Sequence, residues 1–197
     1  MLKRIKCDKF SKKEIIFYPG LNAVIGDDIA SNSIGKSTLL MIIDFVFGGN
    51  TYIKTNGDAI NQLDHHEFQF EFEFKKEKLY FSRNTKSYCY VNICNSDFQV
   101  ISKIKVEDYN KLLKNKYQCE LDGLEFRSIV GRYFRIYGKE NLNEHKPIQY
   151  FDKENSKDSI LTLVKLFNKY SSIKTYEEQI SILSEEKKFL GKQQKKN

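Results

Sequence analysis

Residues 20–49 read GLNAVIGDDIASNSIGKSTLLMIIDFVFGG. An apolar burst ending at Gly26 predicts a buried strand, LNAVIG, that feeds a polar loop. Lys36 to Phe47 is apolar on nearly every side, which predicts an interior helix, and Gly48-Gly49 ends it. Gly35-Lys36-Ser37-Thr38 stands at the turn between loop and helix. The first amides of a helix have no intrahelical partner and lie at the positive end of its dipole, so this turn suits a phosphate. A lysine there reaches the outer phosphates, and a hydroxyl in the next position completes a magnesium shell. Asn32, Ser33, Ile34, Gly35, Lys36, Ser37 and Thr38 are therefore the predicted cradle, with Ser37 as the metal ligand. Ala30 departs from the usual G-x-x-x-x-G-K-[ST] spacing, where a glycine is expected. The expectation is that Asp27 to Ala30 bulge outward and that Asn32, tolerant of left-handed backbone, opens the working loop.

Working outward, residues 2–7 and 14–18 predict two strands on either side of a polar turn. After the helix, HEFQFEFEF sets Phe68, Phe70, Phe72 and Phe74 against Glu67, Gln69, Glu71 and Glu73 in strict alternation. One face of that strand is aromatic and the other acidic. Its glutamates would repel a phosphate backbone, so the stripe reads as core and not as a base-stacking platform. KLYFSR, SYCYVNIC and FQVISKI extend it into an antiparallel meander over about 66–104 with one wet face. From 105 to 172 the chain turns helical around a polar loop at 139–158. Ile173, Tyr176, Ile180, Leu183, Lys187 and Leu190 then step by threes and fours. That is a short heptad seam, and residues 173–197 read as the start of a coiled coil or as a basic tail. The domain reading is thus 1–172 as one lobe and 173–197 as its extension.

Composition narrows the classes. Arg4, Arg83, Arg127, Arg132 and Arg135 are the only arginines among 33 basic residues, so the formal charge of +7 is carried by dispersed lysine. Net charge of this kind speaks to association and not to fold. Arg127, Arg132 and Arg135 gather on one stretch, where a solvated or acid-paired face is the simpler account than a phosphate or DNA contact. Arg83 closes its strand and is open to a nucleotide or a nucleic acid. Cys7, Cys89, Cys94 and Cys119 form no Cys-x-x-Cys pair, and no apolar leader follows MLKRIKCDKF. The simplest account is a reduced cytoplasmic protein with packing cysteines. The longest apolar run, LLMIIDFVF, is far short of the roughly 20 residues a bilayer requires. His65 and His66 are adjacent, so on a strand they point to opposite faces and do not share a metal.

The stretch GLNAVIG…SNSIGKSTLLMIIDFVFGG resembles the opening of the ATPase heads of the SMC, RecF and RecN group. It is similar to SMC-like bacterial ATPases, some of them in multi-component systems that defend against foreign DNA. The resemblance implies an α/β, ABC/SMC-type P-loop half-head. An antiparallel β subdomain and a helical section would lead from it into a coiled coil. It implies ATP and Mg2+ as cofactors. Its partners would be a C-terminal half-head or a second ATPase copy, with DNA as a further partner and no membrane. Such heads carry a signature motif, an apolar strand ending in Asp-Glu and a switch histidine after the returning coiled coil, and this sequence has none of them before Asn197. The nearest match to the acid-ended strand is IQYFD, ending at Asp152, interrupted by a glutamine and set in polar loop. Gln149 would contact magnesium and water by the resemblance; a solvated loop residue is the simpler account. Two other classes stand beside this one: a small P-loop kinase, and a nucleotide-independent DNA- or protein-interaction module. The meander at 66–102 occupies the place where a kinase carries its acid-bearing strand.

Overall fold

The structure is a computed structural model that describes residues 1–24, 35–121, 123–134, 136–141 and 143–194. Its frame is a six-stranded sheet in the order β2-β1-β3-β4-β5-β6, antiparallel throughout. The strands are β1 (Leu2–Lys6), β2 (Glu14–Ile16), β3 (Glu67–Phe74), β4 (Glu77–Asn84), β5 (Tyr90–Cys94) and β6 (Val100–Lys105). The helices are α1 (Lys36–Val46), α2 (Thr51–Thr55), α3 (Gly57–Leu63), α4 (Val106–Lys116), α5 (Phe126–Tyr133), α6 (Ser156–Leu166) and α7 (Tyr170–Gln194). Among the described residues the protein is thus a mixed α/β chain with one sheet and seven α-helices.

The aromatic alternation of β3 places it at the centre of the sheet, with β1 on one side and β4 on the other. Phe68, Phe70 and Phe72 are fully buried on the face that receives the helices. Phe45 of α1 meets Phe68 edge-on at 5.8 Å, and Phe47, just past α1, meets Phe72 at 5.3 Å. Tyr109 of α4 closes over Phe70 and Phe81 at 6.3 and 5.2 Å. Edge-to-face contacts of this kind follow from the ring quadrupole and add to the burial of each ring. The opposite face is polar, as the alternation requires. There Glu71 pairs with Arg4 at 2.7 Å and Lys78 at 3.3 Å, and Ser82 donates to Glu67 at 2.8 Å. The β3–β4 hairpin closes on Lys75 and Lys76, both at positive φ. That geometry usually takes Asn or Gly, so the sequence gives no sharp turn signal there.

Several expectations change. Residues 21–24 form no strand, and Leu21 is 93% exposed and Val24 50% exposed; no sheet neighbour lies beside them among the described residues to bury an apolar run. Helix α1 is interior only in its second half, from Met41 to Val46, because only that half lies over β3; Lys36, Ser37 and Leu40 are exposed. The stretch 126–138 is not one helix: α5 ends at Tyr133 and a single 3-10 turn follows at Tyr137–Lys139. Helices α2 and α3 are too short for their periodicity to be read from sequence. Cys7 and Cys94 are buried as packing residues, whereas Cys89 is exposed. All four cysteines are free. No helix among the described residues is long and apolar enough to cross a membrane.

Candidate functional site

Gly35 is the N-cap of α1 at φ +77°, in the left-handed region. Capping residues normally take extended backbone and offer a side-chain oxygen to the first amides. Gly35 does neither, and the first turn of α1 contains no acidic residue. No described atom lies within 4 Å of where a Cβ would stand on Gly35. The left-handed backbone of Gly35 by itself favours glycine there. Lys36 and Ser37 follow as exposed side chains, and Thr38 is half-buried. Amides that no described side chain caps, an ammonium group and a hydroxyl form a set that fits a phosphate with its magnesium ion. Asn32, Ser33 and Ile34, with Asp27 to Ala30 and the question of their bulge, lie outside the described residues.

The arginines do not gather at this end of α1. Arg127 donates to the Phe47 carbonyl at 2.7 Å and pairs with Asp44 of α1. Arg132 makes a two-pronged pair with Glu154, 2.8 Å at each nitrogen. Both are acid-paired, as the simpler account held, and Arg135 lies outside the described residues. Arg83 does not face a ligand: it is 1% exposed and turned against the rear of α1. Lys139 joins Asp44 at 3.0 Å and sits over the Tyr150 ring at 4.6 Å. This cluster was not legible in the sequence, because Arg127 and Lys139 lie 83 and 95 positions from the Asp44 they pair with. The one available signal was Asp44, a charge inside an otherwise apolar helix.

Electrostatics bear out the pairing. Burial alone pushes the Asp44 carboxyl up, but Arg127 and Lys139 together hold it below its ordinary value. Burial lowers the Lys139 ammonium despite the same carboxylate. Burial also raises Glu154, and Arg132, the Tyr150 amide and the Ser159 hydroxyl outweigh it.

Gln149 is 3% exposed and its side chain donates to the Asp152 carbonyl, so it is not a solvated loop residue. Residues 148–152 form no strand, and IQYFD is turn and bend. His66 is buried with one ring nitrogen 2.9 Å from the Tyr52 hydroxyl, the other 2.8 Å from the Asp64 carbonyl, while His65 is exposed. A polar cleft of about 660 Å3 runs beside Lys6, Lys12, Lys13 and His65, and no described residue of α1 lines it.

A family model described as an AAA domain matches residues 5–197, nearly the whole chain. The chain belongs to the AAA domain family. No curated protein and no solved structure matches it. Membership places this AAA domain among nucleotide-binding, ATPase-type proteins, a family that generally takes ATP with Mg2+.

Proposed function

We propose that this AAA domain is the ATP-binding N-terminal half of an SMC-like ATPase head, with the phosphates received at the front of α1. The observation that carries the reading is Gly35 in the left-handed conformation at a helix start that no described side chain caps, with Lys36 and Ser37 exposed behind it. Lys36 would hold the outer phosphates, Ser37 the magnesium ion, and Asn32, Ser33 and Ile34 with the first amides of α1 the rest of the cradle. Magnesium, when bound, neutralises phosphate charge. Lys36 and the α1 dipole supply the remaining positive field from the protein.

The fitting partner is a C-terminal half-head or a second ATPase copy. Support comes from Ile16, Tyr18, Leu21 and Val24, which are exposed apolar side chains along and beyond the short edge strand β2. Further support comes from the exposed seam of α7 at Tyr176, Ile180, Leu183 and Leu190. Partners that bring an acid-ended strand and a second coil would cover both. A role in DNA repair, maintenance or defence against foreign DNA follows from the resemblance of residues 20–49.

Calorimetry with magnesium-ATP tests the reading. The wild-type chain is expected to bind and Lys36→Ala to lose about tenfold or more in affinity, the weight of one charge-assisted contact. Equal binding by the two proteins would remove the phosphate site, and with it the reading.

A further inference from the structure

The rear of α1 is held by three elements at once. The Phe45 carbonyl accepts from Arg83 at 2.6 Å, Val46 from the Tyr109 hydroxyl at 2.8 Å, and Phe47 from Arg127 at 2.7 Å. These are carbonyls of the last helical turn, which lack full intrahelical partners. The donors come from β4, α4 and α5.

Arg83 is the unusual member. Its second bond from Nη1 goes to the Gly49 carbonyl at 2.8 Å, and Nε and Nη2 both donate to the Tyr88 carbonyl, at 2.8 and 2.6 Å. Its guanidinium also stacks on the Phe45 ring, 3.9 Å from the centroid. No carboxylate stands within ion-pair distance of it among the described residues. Burial lowers its pKa to about 10. A buried cation without a counter-ion is a poor source of stability, and an apolar side chain would fill the same space with less penalty. What the guanidinium adds is geometry. Its carbonyl bonds fix how far α1 slides along its axis, and the stack on Phe45 fixes how α1 is rotated.

We propose that Arg83 is a positioning residue for the phosphate-binding end of α1, acting through the helix. The inference rests on the reading of that end as the nucleotide site. Phe45 lies nine residues behind Lys36, about 13 Å at 1.5 Å per residue, and a helix is stiff over that length. A rotation of about 20° would carry a side-chain tip at roughly 6 Å from the axis through about 2 Å. That displacement takes Lys36 and Ser37 out of hydrogen-bond range of a fixed phosphate.

The test compares Arg83→Lys and Arg83→Met with Cys94→Ala, a truncation of a buried side chain in β5 on the polar face of the sheet, beside Ser82 and away from α1. Magnesium-ATP affinity is measured by calorimetry at a temperature where all are folded, and the Gly35–Thr38 amide resonances are compared in 15N-labelled protein. The expected result is about a tenfold loss of affinity and displaced Gly35–Thr38 resonances in Arg83→Lys, with neither change in Cys94→Ala. Should Arg83→Met fail to fold, Arg83→Lys, which keeps the charge but cannot bridge three carbonyls, decides. Affinity within twofold of wild type, or an equal loss in Cys94→Ala, overturns the proposal. If the wild-type chain binds no nucleotide, it is the phosphate site that fails. The resonances still judge Arg83, and their staying in place overturns its role.

Discussion

At Asp44 one carboxylate oxygen receives both Arg127 and Lys139, while the other, equally buried, has no hydrogen-bond partner among the described residues. Removing the charge leaves two cations uncompensated beside the end of α1, which is the costly way to break a buried pair. Asp44→Asn is expected to lower unfolding free energy by about 3 kcal/mol in urea titration. The pH dependence has a definite sign. Asp44 and Glu154 both titrate below their ordinary values in the folded protein. Their stabilisation is therefore complete above the ordinary carboxyl range, about pH 4, and is lost as pH falls through the lower folded values. Thermal midpoints should drop between about pH 5 and pH 3, and less steeply in Asp44→Asn. A flat acid limb in the wild type would contradict the pairing.

Helix α1 ends as the sequence indicates and for an additional reason. Gly48 has φ +82°, the left-handed turn that closes a helix at least cost on glycine. A Cβ there would also stand 2.0 Å from the Asn110 side-chain oxygen of α4. Gly48→Ala is expected to cost about 2 kcal/mol and to lower the thermal midpoint by about 5 °C, read by circular dichroism. The closing glycine was legible from residue type alone. The approach of α4 was not, because it depends on how the strands between them bring α4 back over the sheet. At the other end of the element list, α7 is a helix of 25 residues with the predicted seam on it, yet its seam side chains lie open. Heptad spacing therefore identified the helix without identifying what covers it.

For the whole molecule, the sheet and helices α1 to α5 share one buried cluster to which α6 and α7 contribute no member among the described residues. Removing residues 170–197 is accordingly expected to change the unfolding free energy of the remainder by less than about 1 kcal/mol. The losses are surface contacts, such as Lys165 over the Tyr170 ring at 4.6 Å and Lys157 with Glu177 at 3.7 Å. Exposed contacts of this kind contribute little. Denaturant melts of the shortened chain check this, and a loss of cooperative unfolding would place α7 inside the folding unit. The antiparallel sense of β1 with β2 and of β3 through β6 was readable, since short polar turns between alternating runs permit little else. The pairing of β1 with β3 was not, because α1, α2 and α3 stand between β2 and β3 in the chain. Of the strand expected over LNAVIG, residues 21–24 form none, since no described strand lies beside them to pair with, and Ile25 and Gly26 lie outside the described residues.

Local periodicity determined the aromatic centre of β3, the meander, the helical stretch of α4 and the seam of α7. Each is a pattern that one segment carries within itself. The Gly35-Lys36-Ser37-Thr38 turn belongs to the same class, since adjacent residues at one helix start make up its chemistry. Only the tertiary structure decided that Arg83, Arg127, Lys139 and Tyr109 converge on the far end of α1, and that half of α1 is buried while half is open. Those outcomes depend on groups far apart in the chain meeting over β3, and the energy of such meetings is a property of the assembled core, not of any one stretch.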